Sequence, residues 1–317
     1  MSKDAPGQAP APTQRVSQSP DAHRHPRIHP VIIYPFSEPN DFWDLEPLYE
    51  KVAQMAQENG RYARPITIMD RKTVLAMKDQ REFLDFRRDT VERHSDVLEA
   101  WCVDTCQMWY AGLGAAFDRG QEGDVYWLIP GDFNYGTAAG REVLNQLERL
   151  PEAVRAGTAD FCIGEITMQF ESAKEAIDSA GTFPLLYSWF PLEARRIRQL
   201  TKRPRSEFFA IGHGFLLEAL RQRWYAYEQT TILLLQAVAD NRPVGRVPVG
   251  DVSDLALGRE SLASGIIQLE RIERALKSFW LERNHSVTGL AENYLLLQSQ
   301  SDQICHAAQI HLQNILR

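Results

Sequence analysis

Asp124-Val125-Tyr126-Trp127-Leu128-Ile129-Pro130 runs directly into Gly131-Asp132-Phe133-Asn134-Tyr135-Gly136. The apolar residues of the first segment follow one another instead of alternating with polar ones. That is the pattern of a strand buried on both faces, as in parallel sheets covered by helices on each side. Pro130 and Gly131 close the strand and leave Asp132 at its exit. A carboxylate there is either an ordinary turn residue or a ligand for a hard divalent cation that bridges it to phosphate oxygens.

Working outward, similar segments alternate with helical patterns. Upstream, Ile28-His29-Pro30-Val31-Ile32-Ile33-Tyr34-Pro35 is a short strand ended by proline, with Val31–Pro35 as its centre. Asp41 can cap a helix carrying Leu45, Leu48, Val52 and Met55, which Gly60 ends. Ile66–Asp70 is a second strand ending in an acid, Lys78–His94 a charged amphipathic helix, and Val97–Val103 a third strand. Gln107–Asp118 is helical. Downstream, about Ala139–Arg155 predicts a helix and Ala159–Ile166 a fifth strand. Strict alternation of strand and helix predicts one mostly parallel α/β sheet with helices on both faces. Ligands of such sheets bind beyond the carboxyl ends of the strands. The loops there carry Glu38, Asp70, Asp104 and Asp132.

Beyond residue 170 the pattern turns helical: Lys174–Arg198, then a basic loop Thr201–Ser206, then apolar stretches at Phe208–Arg223 and Tyr227–Asp240. Val244–Val249 is an edge-type strand containing proline. Ser261–Arg317 carries two apolar stripes, at Ile266, Leu269, Ile272, Leu276 and Phe279, and at Leu290, Leu297, Ile304, Ala308 and Ile315. This predicts a C-terminal helical hairpin that packs on the main domain or on a second copy of the chain. Residues 1–26 are rich in Pro, Ala, Gln and Ser and predict a disordered arm; His23, His25 and His29 at its end read as solvated. The domains expected are therefore 1–26, 27–252 and 253–317.

The balance of 35 Lys+Arg against 42 Asp+Glu argues against a nucleic-acid binder. No apolar run reaches the ~20 residues of a membrane span, and no apolar leader segment opens the chain. Cys102, Cys106, Cys162 and Cys305 are too few and scattered for a disulfide framework. A cytoplasmic protein with reduced thiols is expected. There is no Walker sequence, no G-x-S-x-G and no H-E-x-x-H.

The serial order of several segments resembles the GT-A fold of family 2 glycosyltransferases, particularly the dolichyl- or polyprenyl-phosphate mannose or glucose synthases. Val31–Pro35 with Ser37-Glu38 is similar to the first strand and its Pro-x-x-Asn-Glu. Ile66–Asp70 is similar to the second strand ending in Asp. Trp109–Gly120 followed by Gly123–Ile129 is similar to the helix and strand before the Asp-x-Asp metal motif. Ala156–Gly164 is similar to the Gly-Ala-Asp-x-Val-Ile-Gly strand, and Glu228–Leu235 with Val244–Val249 to a late Glu-Leu-Leu…Val-Pro-Val segment. The likeness covers about Ile28–Asp251. It departs at Ser37, in place of the motif Asn, and at Pro130, in place of the first acid of Asp-x-Asp.

The resemblance implies a transferase that takes a sugar from a nucleotide-diphosphate sugar. The acceptor stays open between lipid phosphate, small molecule and glycan. Glu38 and Asp70 would line the nucleotide pocket, Arg203 and Arg205 would clamp the diphosphate, and Asp132 would hold Mg²⁺ or Mn²⁺. Glu165, Glu207 and His213 are candidate acceptor-side acids or bases. A homo-oligomer through the C-terminal helices is expected. Two other readings remain: a sugar-nucleotide binder or regulatory subunit without transfer activity, which Pro130 favours, and a helical interaction protein working through residues 258–317 with Phe279 and Trp280.

Overall fold

The computed structural model describes residues 25–34, 39–58, 60–102, 105–167, 177–222, 229–252, 262–284 and 289–315. The expected arm, Glu38 and Asp104 lie outside these residues, apart from the arm's last two positions. The strands are β1 (Ile28–Ile33), β2 (Ile66–Asp70), β3 (Asp96–Ala100), β4 (Val125–Pro130), β5 (Phe161–Thr167), β6 (Phe209–Gly212) and β7 (Val244–Asp251). They form one seven-stranded sheet in the order β3-β2-β1-β4-β6-β5-β7. β6 is antiparallel to both its neighbours, β4 and β5; the other pairings are parallel.

The strand that decided the reading shows why the sheet is sandwiched. In β4, Val125, Trp127 and Ile129 enter one hydrophobic core, while Tyr126 and Leu128 enter the other. Side chains alternate across a strand, so an unbroken apolar run needs cover on both faces. On one face lie α1 (Glu46–Glu58), α3 (Arg81–Phe86), α5 (Ala138–Leu147) and α6 (Arg149–Arg155), contributing Leu48, Tyr49, Phe83, Phe86, Leu144, Leu147 and Val154. A six-residue helix α2 (Arg71–Ala76) follows β2. The other face is covered by α4 (Thr105–Phe117), α7 (Phe183–Trp189), α8 (Pro191–Leu200), α9 (His213–Gln222) and α10 (Gln229–Ala239). Helix α4 lies so close on the sheet that a Cβ at Gly112 would stand 2.7 Å from Val31 Cγ1.

The two long helices α11 (Leu262–Asn284) and α12 (Leu290–Ile315) pack on the main body. Leu269, Ile272, Leu276, Phe279, Cys305, Ala308 and Leu312 belong to the same core as the sheet residues Ile163 and Phe209. Most of the first stripe is thus buried within one chain, and Leu297, Ile304 and Ile315 of the second pack half-buried against the same core. Phe279 is buried, and Trp280 stands against Trp189 and Tyr294 with ring centroids 5.8 and 6.3 Å away. Among the described residues no helix is long and apolar enough to cross a membrane.

Three expectations change. The charged helix Lys78–His94 begins only at Arg81 and passes through a π-turn at Arg87–Val91. The helix expected over Ala139–Arg155 is two helices. His29 is no solvated residue: it lies within β1, 5% exposed, with Nε2 2.8 Å from Asp124 Oδ2. Asp124 also accepts from the backbone N–H groups of Arg27 and Gln121 at 2.8 and 3.0 Å. These donors compensate the carboxylate's loss of water.

Candidate functional site

The first three strands step outward from β1 to one side, whereas β4 lies on its other side. The crevice beyond the strand ends at such a reversal is where open α/β sheets bind ligands. The loop leaving β4 is anchored there. Tyr135 N–H donates to the Asp44 carbonyl at 3.1 Å, tying the loop to the turn after β1, and Asn134 Oδ1 accepts from Gly136 N–H at 2.9 Å. Thr137 caps α5 through Gly140 N–H at 3.0 Å. A Cβ on Gly140 would meet the Asn134 carbonyl oxygen at 2.1 Å, so only glycine lets the helix press against this loop.

The same loop carries Asp132, half-buried. Beside it β6 begins, and because β6 is reversed its first end lies at the edge where β4 finishes. This brings Glu207 to the site. Phe133 and Phe208, the residues following the two acids, pack with their rings tilted at 45° and centroids 5.0 Å apart. The buried Tyr135 senses both carboxylates: burial first, then the charges of Asp132 and Glu207, hold its phenol well above the ordinary value. Its hydroxyl donates to the Pro130 carbonyl at 2.8 Å. Pro130 therefore offers the crevice no side-chain donor, and its carbonyl oxygen is already engaged.

Asp70 stands at the same edge, at the end of β2. It is 1% exposed; Oδ1 accepts from Cys102 N–H at 3.1 Å, and Oδ2 has no hydrogen-bond partner among the described residues. Lys72 Nζ donates to the Cys102 carbonyl at 2.5 Å. Next to them Trp101 is 62% exposed, with the Arg71 guanidinium 5.7 Å from its ring centre. Asp70, Asp132 and Glu207 thus share one edge across neighbouring strand ends. At ~4.8 Å per strand spacing the row from β2 to β6 measures about 14 Å.

Other expected site residues fall elsewhere. Glu165, near the end of β5, pairs with Arg246 at 3.3 Å. Arg203 and Arg205 are buried and share Asp178, at 3.2 and 2.6 Å. Arg205 also donates to Gln268 Oε1 at 2.5 Å, so it braces α11. His213 follows β6 and therefore stands at the opposite edge of the sheet. It stacks on Phe117 at 4.4 Å, and its Nδ1 lies 2.8 Å from the Tyr126 hydroxyl. Six residues of extended chain separate it from Glu207, roughly 20 Å, so the two do not act on one substrate atom. Asp178, Trp101 and Lys72 were not foreseen. A lone Asp in a helical pattern carries no signal of the arginines it will meet.

No protein-family model matches the chain, and no curated protein is significantly similar to it. Among the described residues no group of three or more His, Cys, Asp or Glu side chains forms a metal cage. Two carboxylates, Asp132 and Glu207, are hard oxygen donors. Mg²⁺ is commonly held by one or two such groups together with substrate phosphates and water, so Asp132 could hold such a cation with the remaining positions filled by other oxygen ligands.

Proposed function

We propose that the protein is a glycosyltransferase of GT-A type, moving a sugar from a nucleotide-diphosphate sugar to an acceptor. The mostly parallel sheet of order 3-2-1-4-6-5-7, with one reversed strand, supports this reading. The observation that carries it is that Asp132 and Glu207 stand on the same edge of the sheet, at the adjacent ends of β4 and β6, next to the β1/β4 crevice where strand order reverses. The nucleoside would lie toward Asp70, whose buried Oδ2 has no hydrogen-bond partner among the described residues. The diphosphate would lie toward Asp132. Glu207 is then the base. As the acceptor hydroxyl oxygen bonds to the anomeric carbon, its proton passes to the Glu207 carboxylate, and the bond from that carbon to the diphosphate oxygen breaks. Mg²⁺ or Mn²⁺ held by Asp132, when bound, supplies charge compensation to the departing diphosphate. Excluding Arg203 and Arg205 from this clamp follows from their engagement with Asp178.

A second reading has its own observation. With Pro130 in place of an acid and its carbonyl held by Tyr135, a single aspartate serves the metal on this loop. A protein that binds a nucleotide sugar without transferring it needs no more.

One experiment separates the readings. UDP and GDP, and their glucose and mannose sugars, are tested with and without Mn²⁺ for thermal stabilisation, which follows from binding by mass action. Release of nucleoside diphosphate is measured alongside. Stabilisation that needs Mn²⁺ and disappears in Asp132→Asn, with slow release of diphosphate that Glu207→Gln suppresses, is the outcome for a transferase. Stabilisation without any release is the outcome for a binder. The absence of any stabilisation overturns both.

A further inference from the structure

The two C-terminal helices meet solvent differently. On α11, four of the eight exposed residues among those described carry charge: Glu270, Arg274, Glu282 and Arg283. On α12 only two of fifteen do, Glu292 and Asp302, and no lysine or arginine occurs between Leu290 and Ile315. Large apolar side chains stand out on it instead: Leu295, Leu296 and Ile310 are 64, 60 and 46% exposed. A helix resting on a core ordinarily turns a charged or polar face outward, and depletion of charge marks the centre of a protein interface. α12 turns Ser301, Cys305, Ala308 and Leu312 inward. Opposite them lie Leu296, Ser299, Gln303, Ala307 and Ile310, all exposed. They follow one another at intervals of three, four, four and three residues, which sets them in one line along the helix. The line reads alike from either end: a branched apolar residue, a small one, glutamine in the middle, a small one, and a branched apolar one.

We infer that α12 packs against α12 of a second copy of the chain, antiparallel, about a two-fold axis at Gln303. Such an interface joins one patch to itself and must be self-complementary. Rotation about the axis sets Leu296 against Ile310 of the second copy and Ser299 against its Ala307. The small residues beside the axis let the helices approach, and the branched ones close the contact at each end. Charge fits the same arrangement. A face rich in one sign would repel its own copy, whereas this line carries none, and Glu292 meets Asn314 of the second copy. Parallel pairing would instead lay Glu292 on Glu292 and align the two helix dipoles. Gln303 faces its own equivalent. Its amide both donates and accepts, so two of them hydrogen-bond reciprocally, and one polar residue within an apolar seam fixes the register. An unrelated partner protein has no need of a line that reads alike in both directions.

The test takes the full chain through sedimentation velocity over a hundredfold range of concentration. The mass of two chains at the upper end, falling toward one on dilution, is expected. Leu296→Glu and Ile310→Glu change exposed residues; each should keep the far-ultraviolet circular dichroism spectrum and abolish the dimer. Ser278→Glu, at an exposed position of α11, should leave the dimer intact. Disulfide trapping reads the register, with the wild type oxidised alongside as background. Gln303→Cys lies on the axis and should give a covalent dimer. Glu292→Cys alone should not, because eleven residues from the axis on each copy hold the two thiols about 33 Å apart. Glu292→Cys combined with Asn314→Cys should link again. A single-chain mass at every concentration overturns the interface, and a melting temperature lowered by Leu296→Glu in that monomer would mean that the chain covers this face itself. A dimer that survives both glutamates, or one lost in Ser278→Glu, overturns it as well. Linkage through Glu292→Cys alone, or none through Gln303→Cys, overturns the antiparallel register.

Discussion

At the scale of single residues, burial and pairing compete most openly at His29. Desolvation lowers its pKa from 6.5 and outweighs the raising effect of the Asp124 carboxylate. The folded protein therefore holds a neutral ring that the unfolded chain would protonate. Below about pH 6.5 the unfolded state binds the extra proton, so stability falls with falling pH through the window beneath that value and is whole above it. His29→Gln keeps a donor for Asp124 and removes the titration. Its melting temperature should fall less than that of the wild type between about pH 7 and pH 5, and parallel curves would refute the assignment. The residues of the site were legible to different degrees for a physical reason. Asp70 and Asp132 end apolar strands, and topology alone sends strand ends to one edge. His29 finds Asp124 across 95 positions, and Arg205 finds Asp178 across 27. Such pairings leave no trace in local sequence, so His29 read as solvated and the two arginines as a clamp.

Among the elements, α5 has the most direct hold on the site. Its first turn presses backbone against backbone at Gly140 and Asn134, and that contact places the loop bearing Asp132. Gly140→Ala forces the helix outward because no side-chain rotation can relieve a clash with a carbonyl oxygen. Overpacking of this kind typically costs ~1–3 kcal/mol. We expect a lower melting temperature together with weaker Mn²⁺-dependent nucleotide binding, whereas Gly214→Ala, where a Cβ would meet nothing, should change neither. Equal nucleotide affinity in Gly140→Ala would detach the loop's position from the helix. The strands of the first half announced themselves through apolar runs closed by Pro, Gly or Asp. β6 did not. It is four residues long, its run Phe208-Phe209-Ala210-Ile211 merges with the helix that follows, and its two neighbours come from distant parts of the chain. Reversal of that strand is nevertheless what delivers Glu207 to the site, so the least visible strand carries one half of the proposed chemistry.

The whole molecule is one core arrangement on each side of a single sheet, and the C-terminal helices belong to it. Leu269 packs so tightly on the turn before α7 that a Cβ at Gly181 would stand 2.0 Å from its Cδ2. Trp189 Nε1 donates to Ser301 Oγ at 3.2 Å, joining α7 to α12. Removing residues 262–317 would expose Ile177, Phe183, Leu186 and Trp189, all now buried. An apolar face of that extent drives association, so the truncated chain should aggregate. A gentler change asks whether the helices fold with the rest. Leu276 is fully buried, and its replacement by alanine should cost ~2–5 kcal/mol through lost transfer energy and the cavity left behind. If α11 and α12 share one cooperative unit with the sheet, Leu276→Ala lowers a single transition seen alike by near-ultraviolet and far-ultraviolet circular dichroism. An early partial transition, followed by an unchanged main one, would instead make the two helices a separately melting layer. The sheet and its carboxylates would then stand without them.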